Sequence, residues 1–66
     1  MNKGNERIAK AIIDANLESR DLIRLIVMIS ECALYNSEKG YSTSAIEARD
    51  LFMMLYDYAD KNGYYK

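Results

Sequence analysis

Sixty-six residues, half of them hydrophobic and 29% charged, with nine basic and ten acidic side chains, describe a single small domain over 1–66 with nearly balanced charge. A chain of this size buries only about 60% of the surface its unfolded form exposes, so a staple or a partner is the usual requirement. One cysteine and no histidine exclude an intrachain disulfide framework, a cysteine-based zinc cluster and every histidine-dependent catalytic arrangement.

In chain order, the N-terminal stretch is interrupted by Lys10, Asp14 and Glu18, so no uninterrupted apolar core of a secretory signal is present and a cytoplasmic location is expected. Asn5 is placed to cap a first helix, with Glu6 at the positive end of the helix dipole. Apolar residues then recur at Ile8, Ile12, Ala15, Leu22, Ile26, Ile29 and Ala33, which is helical period rather than strand alternation. The spacing predicts a long first helix over about 6–37, closed by Ser37-Glu-Lys-Gly40 with Gly40 in the left-handed conformation. Asn16, Ser19 and a gap in the apolar stripe leave an alternative, a three-helix monomer with a break near 16–20. The absence of proline and glycine from that stretch favours the continuous helix.

From Leu22 to Tyr35, 11 of 14 residues are apolar, the exceptions being Arg24, Ser30 and Glu31. A membrane span needs about 20 predominantly apolar residues, so this window reads as a buried helix segment, with Cys32 as an inert core thiol. Ser44-Ala-Ile-Glu47 has the spacing of a capping box and predicts a second helix over about 45–61. Asn62-Gly63 stops it before a short tail, 62–66. The fold class is therefore all-α, a helical hairpin.

Geometry argues against a solitary hairpin. The first helix would be about 48 Å long and the second about 25 Å, so the stripe Ala48, Leu51, Phe52, Leu55, Ala59 covers only Leu22 to Ala33 and leaves Ile8, Ile12 and Ala15 without a partner. Ile23, Val27 and Leu34 form a further stripe, turned away from Ile29. Leaving these three in water forgoes about 5–9 kcal/mol at roughly 1.5–3 kcal/mol per side chain, against a net stability of about 3–10 kcal/mol for 66 residues. A homodimer built as a four-helix bundle removes both leftover surfaces, with Ile8, Ile12, Ile23, Val27 and Leu34 as the self-association interface.

On the second helix, Ile46, Met53 and Met54 lie among Arg49, Asp50, Asp57 and Asp60. Methionine is flexible and polarizable and suits surfaces that accommodate another protein, particularly beside Tyr56, so Ile46, Met53, Met54 and Tyr56 form a candidate partner patch. Six tyrosines also suit an interface, because each brings a large contact area at little cost in rotamer entropy. Aromatics beside Lys61 and Lys66 are able to stack on exposed bases, but Asp57 and Asp60 adjoin the same tyrosines and the net charge is −1, which disfavours a nucleic acid partner.

The sequence offers no catalytic residues, no cofactor-binding motif and no metal-ligand set. Asp50, Asp57 and Asp60 read as a solvated helix face, and neither a phosphate-cradling glycine loop nor a hydroxyl nucleophile with a base is found. The expected function is that of a small protein-protein interaction module, acting as a regulator, inhibitor or adaptor of a larger protein and not as an enzyme. The outline of a dimeric bundle of hairpins resembles the plasmid copy-number regulator Rop in general shape alone. That resemblance implies the alternative, an RNA- or DNA-binding dimeric bundle with contacts from Lys3, Arg7, Lys10 and Arg20 of both chains.

Overall fold

A computed structural model describes residues 3–64, which form three helices: α1 (Lys3–Asp14), α2 (Ser19–Glu38) and α3 (Ser42–Lys61). The fold is all-helical, as expected, but the long first helix is broken. Asn16 adopts a left-handed backbone with φ of 55°. Its amide donates to the Ile13 carbonyl at 3.1 Å, and Leu22 N–H to Glu18 C=O at 3.0 Å opens the next helix. Left-handed backbone costs an ordinary L-residue roughly 1–2 kcal/mol, but asparagine tolerates it without help from glycine. Against this cost, the turn brings Ile12, Ile13 and Leu17 against the core, where all three are half-buried and each gains a part of the roughly 1.5–3 kcal/mol that full burial is worth. The alternative of three helices with a break near 16–20 therefore describes the chain.

A three-residue connection, Lys39 to Tyr41, folds α3 back antiparallel to α2. Gly40, at φ 81°, closes α2 with its amide on the Ser37 carbonyl, 3.1 Å, and Tyr41 N–H reaches the Asn36 carbonyl at 2.8 Å. α3 ends in the same motif: Gly63 has φ 75°, its amide donates to Asp60 C=O at 3.2 Å, and Tyr64 N–H to Ala59 C=O at 2.9 Å. In both, a glycine supplies the positive φ that lets the last carbonyls of the helix find donors. The ring of Tyr64 packs on the core and lies 5.9 Å from that of Tyr58. A hydrogen bond between the two hydroxyl groups, with some desolvation, raises the Tyr58 phenol above its ordinary value. Residues 62–64 of the expected tail thus belong to the packed structure; Tyr65 and Lys66 lie outside the described residues.

Two expected caps are corrected. α3 begins at Ser42, with Tyr41 at its N-cap and no side-chain capping bond, so Ser44 and Glu47 lie inside the helix rather than forming a box at its start. Asn5 caps nothing. It sits within α1, only 7% exposed, and its Nδ2 donates to the Glu47 carbonyl of α3 at 2.7 Å. A carboxamide is costly to bury without partners, so this bond ties α1 to the first third of α3.

The core is built from Ala9 of α1, Leu22 and Ile26 of α2, and Leu51, Leu55 and Ala59 of α3. Leu55 and Ala59 are fully enclosed. α3 is the central element, with α2 and α1 both packed on it, whereas α1 and α2 do not pack on each other. Two small alanines, one in α1 and one near the end of α3, let the backbones approach closely enough to seal Leu55. Because α1 covers α3 and not α2, one flank of α2 stays open.

Candidate interaction surface

On that open flank, the second half of α2 and the first half of α3 enclose a groove of 460 Å³. Its α2 side is formed by Ser30, Ala33, Leu34 and Ser37, and its α3 side by Ala45, Ile46, Arg49 and Phe52. Small side chains at 30, 33, 37 and 45 make a shallow floor. The Ser30 hydroxyl donates to the Val27 carbonyl at 2.7 Å, so its polarity is spent on its own helix and the floor presents an apolar surface. Leu34, 64% exposed, and Ile46, 58% exposed, stand as rims. Arg49 is the single charge at the edge. Phe52 extends the wall toward Tyr56, with ring centroids 5.8 Å apart and planes tilted by 42°.

The structure redistributes the residues expected at interfaces. Val27 is 48% exposed and Ile23 half-buried, so the stripe Ile23, Val27, Leu34 remains a surface feature beside the groove. Ile8 is also exposed, on α1. Ile12 is half-buried, packed against the core of its own chain where α1 folds back. Of the candidate partner patch, Ile46, Met53 and Tyr56 are exposed, whereas Met54 is half-buried against the core. Two groups that read as separate patches in the sequence thus converge, since Leu34 from one and Ile46 from the other line the same groove. Ser30, Ser37, Ala45 and Arg49 carried no expectation as interface residues, and Ala33 was expected in the stripe covered by the second helix. Their signal was a run of small side chains at three- and four-residue spacing, Ser30, Ala33, Ser37, on the helix edge that faces α3.

Cys32, expected in the core, is exposed, and its Sγ lies 3.5 Å from Asn36 Nδ2. Asp57 pairs with Lys61 at 3.0 Å across one turn of α3, both side chains well exposed, and such a pair contributes little to stability. Among the described residues, no group of three or more cysteine, aspartate or glutamate side chains is arranged to hold a metal ion, and no helix is long and apolar enough to cross a membrane. Lys3, Arg7, Lys10 and Arg20 are all exposed, the first three on α1 and the last in the first turn of α2. Chemically, the apolar walls with one guanidinium at the edge suit the capture of apolar side chains. Comparison with protein families, with curated proteins and with solved structures finds no match to the chain.

Proposed function

We propose that the chain is a small helical protein-interaction module whose working surface is the open α2/α3 flank, and that it self-associates there as a two-fold dimer of hairpins. The supporting observation is the groove itself: a 460 Å³ apolar depression flanked by Leu34 and Ile46 and continued by Val27. Large apolar side chains that converge on one concave surface, rather than scattering singly, mark a place where another polypeptide docks. In this reading the role is regulatory, inhibitory or adaptive, exerted by binding.

Light scattering at low micromolar concentration tests the self-associating arm. The expected mass is that of two 7.6 kDa chains, and Val27→Asp is expected to return it to one. Because Val27 is already half in water, the substituted monomer should keep its helical circular dichroism, while a carboxylate buried in a pairing surface without a partner is strongly unfavourable. A wild-type mass of one chain, unchanged by the substitution, removes self-association from the proposal. The competing reading as an RNA- or DNA-binding bundle draws on Lys3, Arg7 and Lys10 recurring along one exposed face of α1. It calls for retention on RNA or DNA that falls steeply as salt rises, whereas the interaction module requires none.

A further inference from the structure

We infer that the occupant of the groove is a second copy of this chain, laid with its α2 antiparallel to the first in one register fixed by size and charge. The inference rests on the reading above and adds the polarity and the register of the pairing. Along the open flank of α2, the residues Arg20, Ile23, Val27, Ser30, Leu34 and Ser37 follow one another at alternating steps of three and four, the spacing of a helix-pairing seam. The seam is asymmetric. Its first half carries the large Ile23 and Val27; its second half carries one large side chain, Leu34 at the rim, between the small Ser30 and Ser37, where the groove opens.

Antiparallel pairing sets Val27 against the partner's Ser30, so it enters the depression of the other chain, and sets Ile23 against the rim formed by the partner's Leu34. A parallel pair sets Val27 on the partner's Val27 and Leu34 on the partner's Leu34, and leaves both depressions unfilled. Charge selects the same arrangement. Arg24 and Glu31, one heptad apart, flank the seam on the edge away from α3; both are exposed, and among the described residues neither takes part in a salt bridge. The antiparallel register brings Arg24 beside the partner's Glu31, and the two-fold axis repeats the pair. A parallel pair carries the partner's equivalents to the opposite edge, so Arg24 and Glu31 go without this pairing. On the other edge of the seam, α3 comes to lie beside the partner's α3, which completes four helices, and α1, packed on α3 and not on α2, does not obstruct the seam.

The test is a charge exchange read by concentration-dependent light scattering on the full chain. Arg24→Glu and Glu31→Arg, made singly, are each expected to weaken the dimer on the order of tenfold, because both repeats of the pair become repulsive. An equimolar mixture of the two variants should recover near wild-type affinity as a heterodimer, and so should the double variant R24E/E31R as a homodimer. Both side chains are exposed, and unchanged circular dichroism verifies that each variant folds. A wild-type dimer that is indifferent to the single exchanges, or a mixture no tighter than its components, overturns the register and leaves the interaction surface standing. A wild-type chain that stays monomeric at every concentration overturns the inference and self-association together.

Discussion

Asn5 and Asn16 do two unrelated things in this chain, and both depend on where the side chain or backbone can find compensation. Asn5 is enclosed in α1 and returns one of its donors to the Glu47 carbonyl of α3, so Asn5→Ala is expected to lower stability by about 1–2 kcal/mol in urea unfolding, through the lost bond and the carbonyl left with one partner fewer. Asn16 is instead chosen for its backbone. With φ at 55°, Asn16→Ala should cost about 1 kcal/mol and Asn16→Gly close to nothing, and equal stability of the alanine and glycine variants would contradict that account. From sequence alone Asn5 reads as a cap, because the preference of asparagine for helix starts is a local property, while its burial depends on a helix 42 residues away. Cys32 was misplaced for a different reason: a window average counts apolar residues without regard to angle, and six residues beyond Ile26 the helix has turned the thiol outward.

For the helical elements, sequence and structure agree where termination chemistry is unambiguous and part where competing signals are close in energy. Gly40 and Gly63 both stand at positive φ where the helices close, a requirement that glycine meets more cheaply than any other residue. The start of α3 was less legible. Ser44 and Glu47 have capping-box spacing, yet the helix begins at Ser42 without a side-chain cap, because the tight connection after Gly40 already delivers the chain in helical register, with Ala45 N–H on the Tyr41 carbonyl at 2.9 Å. The break between α1 and α2 was legible as a gap in the apolar stripe and as Asn16 itself. What no local pattern supplies is the destination of α1, since Ile12 and Ile13 would be equally well buried by another chain. The groove was legible in its rims, Leu34 and Ile46, and illegible in its floor, because small residues carry no hydrophobic signal until two helices are brought together.

At the scale of the whole molecule, stability is concentrated on α3, where Leu55 and Ala59 are sealed between two helices that do not pack on each other. Leu55→Ala is therefore expected to cost about 2–5 kcal/mol, a large share of the roughly 3–10 kcal/mol available to a chain of this length, and to show as a thermal transition lowered by many degrees or lost. The same economy bears on the turn at Asn16. Were Asn16 and the extended Glu18 both to relax into right-handed helical backbone, α1 and α2 would align end to end over about 54 Å, and the face of α1 that now shields its own α3 would arrive at a neighbour's instead. Identical contacts would then be satisfied by reciprocal exchange, so the crowding of copies, rather than any change of residue, would decide between a closed subunit and an interlocked pair.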